Sequence, residues 1–104
     1  KSLTYTRQMR FEWDDKKDLS NQRKHDLSFA EAEQLFESNQ DYLEIFDASH
    51  SENEDRFIAI GEIDRGIVVV IYTEREESLI RIIGARFATK QERERYRAYR
   101  DQHR

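Results

Sequence analysis

The apolar positions fall into a few dense runs separated by strongly polar stretches, and their spacing predicts the elements. The richest run, Ile67-Val68-Val69-Val70-Ile71-Tyr72, is apolar without alternation, as expected of a strand buried on both faces at the centre of a sheet. Before it, Arg56 to Ile63 alternates, with Phe57, Ala59 and Gly61 opposite Ile58 and Ile60. Asp64-Arg65-Gly66 makes a tight turn between the two. Glu76-Glu77 then turns the chain into a further strand, Leu79 to Arg86, while Tyr42 to Ala48 reads as a strand and Asp47 to Asp55 as a polar loop. Near the start, Met9, Phe11 and Trp13 alternate with Arg10 and Glu12, the pattern of a short edge strand.

Three segments read as helices. Asp14 suits the N-cap of a helix running to about His25, in which Leu19 is the sole aliphatic residue. Lys17, Asn21 and Lys24 share one stripe at i, i+4 and i+7. Burial alone would hold such a helix weakly, so its polar face is expected to have another task. Ser28 and Glu31 form a capping box ahead of an apolar face of Phe29, Ala32, Leu35 and Phe36, and this helix should end near Ser38-Asn39. Thr89 and Glu92 form a second box that opens a C-terminal helix. The order is strand, helix, helix, four strands, helix. Short connections between the later strands imply an α+β fold: an antiparallel sheet with two N-terminal helices and one C-terminal helix.

Composition adds limits. The 104 residues suffice for one domain, and charged residues (38%) slightly outnumber hydrophobic ones (37%), so the core must be thin. Without cysteine there is neither a disulfide framework nor a thiolate metal site. The longest apolar run is far too short to span a membrane, and Lys1 to Arg10 lacks the apolar stretch of a signal peptide, so the cytoplasm is the expected location. Lys1 to Gln8 carries no pattern and reads as an N-terminal extension, disordered or foreign to the native chain, with Met9 as a native start.

The net charge of −4 argues against a polyanionic partner until it is mapped. Residues 1–25 carry seven Lys/Arg against four Asp/Glu, residues 26–64 one against twelve, and residues 65–104 ten against six. An acidic middle separates two basic ends that folding could join into one positive cleft; a mixed solvated surface is the alternative.

Most site chemistries fail on spacing. His25, His50 and His103 have no histidine partner at i+4, and the three glycines are scattered, so neither a metal site nor a nucleotide cofactor is expected. His50-Ser51-Glu52 suggests a triad, but it stands in an acidic loop without a nucleophile elbow and reads better as a polar loop histidine. Basic side chains from separate elements remain. The C-terminal helix places Lys90, Arg93, Arg97 and Arg100 on one stripe, with Glu92, Tyr96 and Tyr99 on the opposite side, so a cationic ridge is expected once the tyrosines pack on the sheet. Strict alternation sets Arg81 and Arg86 on opposite faces; a bulge at Gly84 would return them to one. Cleaving RNA without metal requires a base for the 2′-hydroxyl proton, cations for the phosphate and an acid for the leaving 5′-oxygen. Lys24, His25, Arg56, Arg81 and Arg86 could supply all three if the first helix faces the sheet.

These residues also carry a resemblance. Phe11-Glu12-Trp13-Asp14, Asn21, Lys24-His25, Ser28-Phe29 and Glu31-Ala32, then Asp47, His50-Ser51-Glu52, Glu54-Asp55-Arg56-Phe57, Ile60-Gly61, Tyr72-Thr73-Glu74-Arg75, Arg81-Ile82-Ile83, Ala85-Arg86, Ala88-Thr89 and Glu92-Arg93 resemble, in this order, the BrnT-type toxins. The likeness spans about residues 9–96, and residues 9–104 are taken as a single domain of that type. Asp26 departs from the usual glycine and Gly84 from a common serine. The resemblance implies a RelE-like fold and a metal-independent ribonuclease that inhibits translation. It also implies neutralisation by a BrnA-type ribbon-helix-helix antitoxin, with a homodimer or toxin–antitoxin heterotetramer that meets operator DNA only through the antitoxin. Carried over by motif, the catalytic positions are Lys24, His25, Arg56 and Arg86; we assign proton transfer to Lys24 or His25 and phosphate to Arg56 and Arg86. Arg81, Lys90, Arg93 and Arg97 are the expected RNA contacts. The competing reading is a non-catalytic module of the same fold that pairs with a protein or nucleic acid.

Overall fold

The computed structural model describes residues 9–37 and 41–103. Its centre is a five-stranded sheet in the order β1-β5-β4-β3-β2, built from β1 (Arg10–Glu12), β2 (Leu43–Phe46), β3 (Arg56–Ile63), β4 (Gly66–Glu76) and β5 (Leu79–Phe87). Helices α1 (Asp15–His25), α2 (Phe29–Ala32) and α3 (Gln34–Glu37) precede β2, and α4 (Lys90–Gln102) follows β5. The expected end of the second helix near Ser38-Asn39, and the extension over residues 1–8, lie outside the described residues. The segment read as one helix from Ser28 is two single turns, separated at Glu33, whose carbonyl accepts from the Phe36 N–H in a tightened i→i+3 bond.

The doubly apolar run became the central strand β4, and β2 to β5 pair antiparallel through close connections. The expectation of a wholly antiparallel sheet needs correction: β1 runs parallel to β5, Arg10 opposite Leu79 and Glu12 opposite Arg81. Hairpin length dictates direction only between strands it joins. β1 has no hairpin and adds to the far edge of β5 from a distant part of the chain.

The two faces of the sheet differ. On the first, α2 and α3 bury Phe29, Ala32, Leu35 and Phe36 against Ala59, Val68, Val70, Tyr72, Ile80, Ile82 and Ala85. Aromatic rings extend this core: Phe36 lies 5.0 Å from Tyr72 and 5.4 Å from Tyr42, and Tyr72 lies 5.7 Å from Phe57. The Tyr72 hydroxyl donates to Glu44; burial first, and then this carboxylate, push the phenol well above its ordinary range. Gly61 is required here, because a Cβ would stand 2.9 Å from the Tyr42 Cβ and 3.0 Å from the Leu35 Cγ. Among the described residues, the second face is covered at one end only. There Tyr96 of α4 packs on Ile60, Ile67 and Val69, while Ile58, Ile71, Ile83 and Gly84 stay partly exposed.

Helix α1 holds to the protein by hydrogen bonds more than by apolar contact; Leu19 is 54% exposed. β1 covers β5 only as far as Arg81. Beyond it, the buried Asn21 side chain takes the place of a neighbouring strand, accepting from the Ala85 N–H at 3.2 Å and donating to the Ala85 carbonyl at 2.8 Å. The same amide nitrogen donates to the Leu27 carbonyl at 2.9 Å, and Asp18 accepts from the Phe29 N–H at 2.9 Å. The polar stripe therefore docks the helix. Asp26, the residue after α1, is left-handed (φ 56°), a conformation that favours glycine. Arg65 clamps it, donating to its carbonyl and carboxylate and also to Glu31, each within 2.9 Å.

Candidate functional site

The partly covered face of the sheet collects the cations that the sequence singles out on β3 and β5. Its floor there is the row Arg56 (β3), Thr73 (β4), Arg81 (β5) and Glu12 (β1), each directly opposite the next. Thr73 is buried in this row and donates to the Asp55 carbonyl at 2.7 Å. Arg81 donates to Glu12 at 3.1 Å. Arg75, which sequence reasoning did not select, lies 3.9 Å from both Glu12 and Glu54. Arg75 and Arg81 thus share Glu12, and Arg75 also reaches Glu54. Among the described residues Arg56 has no carboxylate at ion-pair distance, although Glu54, Asp55 and Glu74 stand nearby in the sequence or on the neighbouring strand.

The bulge expected at Gly84 is present. Gly84 pairs with Ile71 and Ile82 with Tyr72, leaving Ile83 as the extra residue. In consequence Arg81, opposite Thr73, and Arg86, opposite Val69, project on the same face. Arg86 is engaged there, with its two terminal nitrogens 2.7 and 2.9 Å from the Glu92 carboxylate. This bidentate pair holds Glu92 down at about 2 and Arg86 above its ordinary range. Glu92 also closes the capping box of α4 by accepting from the Thr89 N–H, so Arg86 is tied to the start of that helix.

Lys24 and His25 lie elsewhere, on α1 beside the β5 edge. With Lys17, Ser20, Asn21 and Ile83 they line a shallow depression of about 200 Å³. Among the described residues neither has a side-chain partner; with Arg23 they supply the basic last turn of the helix. The ridge expected on α4 is divided. Lys90 and Arg97 are exposed, but Arg93 donates to the Ala88 carbonyl at 3.0 Å and Arg100 to Glu62 at 2.9 Å, lying over the Tyr96 ring. Arg93, Tyr96 and Arg100 are spaced i, i+3 and i+7, so the stripe that buries the tyrosine takes both arginines with it. Trp13 is partly buried and packs edge-on against Phe29 at 6.1 Å, at the margin of the core.

The acidic loop holds what the sequence reading passed over. Within the 3-10 turn Ala48–His50, the His50 Nδ1 lies 2.9 Å from the Asp47 carboxylate, and the Ser49 hydroxyl donates to the other Asp47 oxygen at 2.8 Å. Those serine and histidine bonds hold the Asp47 carboxyl below its ordinary range. His50 and Arg56 line one open pocket of about 360 Å³ with Ser49, Glu52, Asn53 and Glu54. An aspartate three residues before a histidine was the signal available, but the two meet only because a turn intervenes.

The architecture is thus a small α+β domain whose sheet has one closed face and one open, arginine-rich face. The chain belongs to the BrnT family: residues 13–92 match the family model described as "Ribonuclease toxin, BrnT, of type II toxin-antitoxin system". Among solved structures it is similar to the ribonuclease toxin BrnT of Brucella abortus, with 26% identity and a TM-score of 0.58 over 79% of this chain and 99% of that one. Among curated proteins no sequence matched. Among the described residues no helix is long and apolar enough to cross a membrane, and no group of three or more His, Asp or Glu is placed to hold a metal ion.

Proposed function

We propose that this BrnT-family toxin is a metal-independent endoribonuclease of RelE-like fold that acts in the cytoplasm, inhibits translation and engages RNA on its sheet. The observation that carries this reading is the open face. Partly exposed Ile58, Ile71 and Ile83 offer an apolar bed for unstacked bases. Arg56, Arg75 and Arg81 on one side, and Lys17 and Lys24 on the other, offer cations for the backbone. In this reading Arg56 and Arg86 hold phosphate, Lys24 or His25 moves protons, and Arg81, Lys90, Arg93 and Arg97 extend the track. The neutralising partner is a BrnA-type ribbon-helix-helix antitoxin that covers this face in a toxin–antitoxin heterotetramer and alone touches operator DNA.

The test is inducible expression of the chain beside Lys24→Ala and Arg86→Ala, scored for growth arrest and RNA decay, with melting temperature as the folding control. Arrest and decay in the wild type, lost in folded variants and unaffected by chelator, is the expected result. The competing module that only binds draws on one observation: Arg81 and Arg86 already hold carboxylates of their own chain. Normal growth from a folded wild type would decide for it.

A further inference from the structure

Arg56 lies two strands inward from the β5 edge where α1 docks, a separation of about 10 Å. A phosphate held at Arg56 therefore needs a proton acceptor on its own side of the sheet. We infer that His50, oriented by Asp47, is that acceptor: a catalytic base for the 2′-hydroxyl of RNA, in the pocket it shares with Arg56. The inference rests on the ribonuclease reading and gives it a second chemical centre.

The loop is built to hold this geometry. The Asp47 N–H donates to the Arg56 carbonyl at 2.8 Å. The Ser51 hydroxyl donates to the Asp47 carbonyl at 2.6 Å and accepts from the Arg56 N–H at 2.9 Å. Three bonds thus close the loop at its neck and fix His50 relative to Arg56, while Thr73 pins the Asp55 carbonyl from beneath. The Asp47 carboxylate is held ionised, so the His50 Nδ1 must carry the proton it shares with it. That leaves Nε2 as the free position of a side chain 67% exposed, while Asp47 is 16% exposed. The arrangement is that of an oriented imidazole base with a partly buried carboxylate behind it. The other charged groups of the pocket are Glu52, Glu54 and Arg56, and Glu54 is drawn toward Arg75 at 3.9 Å.

In the step, Nε2 takes the proton of the 2′-hydroxyl, the 2′-oxygen bonds to phosphorus, and the bond from phosphorus to the 5′-oxygen breaks. The departing 5′-oxygen takes a proton from water, and the imidazolium returns its own to the hydroxide formed. The products are a 2′,3′-cyclic phosphate and a 5′-hydroxyl end. Arg56 holds the non-bridging oxygens as charge gathers on them.

The experiment measures cleavage of a mixed-sequence RNA by the purified chain between pH 5 and 9, for the wild type, His50→Gln, His50→Ala and Asp47→Asn. We expect His50→Gln to cut at least about 100-fold more slowly with its melting temperature unchanged. Its residual activity should lose the rise with pH that an imidazole base produces between about pH 5 and 8. Added imidazole should partly restore His50→Ala, and Asp47→Asn should fall between wild type and His50→Gln. A His50→Gln protein with wild-type rate and pH profile overturns the inference and leaves the ribonuclease reading standing. A folded wild type that cuts no RNA overturns both.

Discussion

The two faces of the sheet follow opposite rules. On the closed face, side chains of α2, α3 and alternate sheet positions interlock: Leu27, Phe29 and Ala32 have no exposure at all, and Leu35 has 1%. On the open face, among the described residues, only the end under Tyr96 is packed, and the remainder carries arginines over isoleucine. A chain with 38% charged residues cannot close both sides of a five-stranded sheet. It concentrates its apolar residues on one and leaves the other for charge. Stability and chemistry are consequently separable, and substitutions should sort by face.

The largest effect belongs to the closed face. Phe29→Ala should cost about 3–5 kcal/mol, through lost burial and the cavity left against Trp13, and urea denaturation should show the midpoint falling sharply. A loss under 1 kcal/mol would mean that α2 is not part of the cooperative core. Next comes the seam between the faces. Asn21→Ala removes three hydrogen bonds to Leu27 and Ala85 and strands buried backbone groups, which should cost about 2–3 kcal/mol in the same assay.

The open face should respond to pH more than to truncation. Glu92 is held down at about 2, chiefly by the Arg86 hydrogen bond, from an ordinary value of 4.5. Its contribution to stability is complete above about pH 4.5 and disappears as pH falls through 2. Glu92→Gln should therefore be less stable than the wild type at neutral pH, with the gap narrowing across that window in acid-denaturation curves. A gap that stays constant to pH 2 would show that the Arg86–Glu92 pair is not the cause. The smallest change concerns the turn after α1. Asp26→Gly relieves left-handed backbone but gives up the Arg65 clamp, so thermal melting should shift upward by no more than about 1 kcal/mol equivalent. A clear decrease would make the clamp the stronger of the two.

What the sequence made legible was local. The Asp14 cap and both capping boxes formed as expected, since each is decided within four residues. The alternation of β3 and the bulge beside Gly84 were also readable, and with them the shared side of Arg81 and Arg86. The rest depended on contacts far along the chain. Nothing near Phe11 records that it pairs in parallel with Ile80. Asn21 was legible only as part of a polar stripe with a task of its own, because its partner, the backbone of Ala85, lies 64 positions away. Arg93 and Arg100 looked exposed because Tyr96 was assigned to the opposite side of α4. The family motif marked Lys24, His25, Arg56 and Arg86, yet the fold distributes them over the α1 margin, the Arg56 row and the α4 start. His50, judged a surface loop residue, gained its aspartate only through a turn.

The Asn21 amide has a further consequence, for assembly. A strand edge propagates pairing because each added strand presents the same unpaired groups to the next. Here one flank is terminated by a three-residue strand and then by a helix whose side chain already occupies the backbone. The opposite flank, β2, ends in a half-exposed Phe46. Among the described residues, that makes β2 the flank at which a neighbouring strand would add, and two copies that met there would close into a pair.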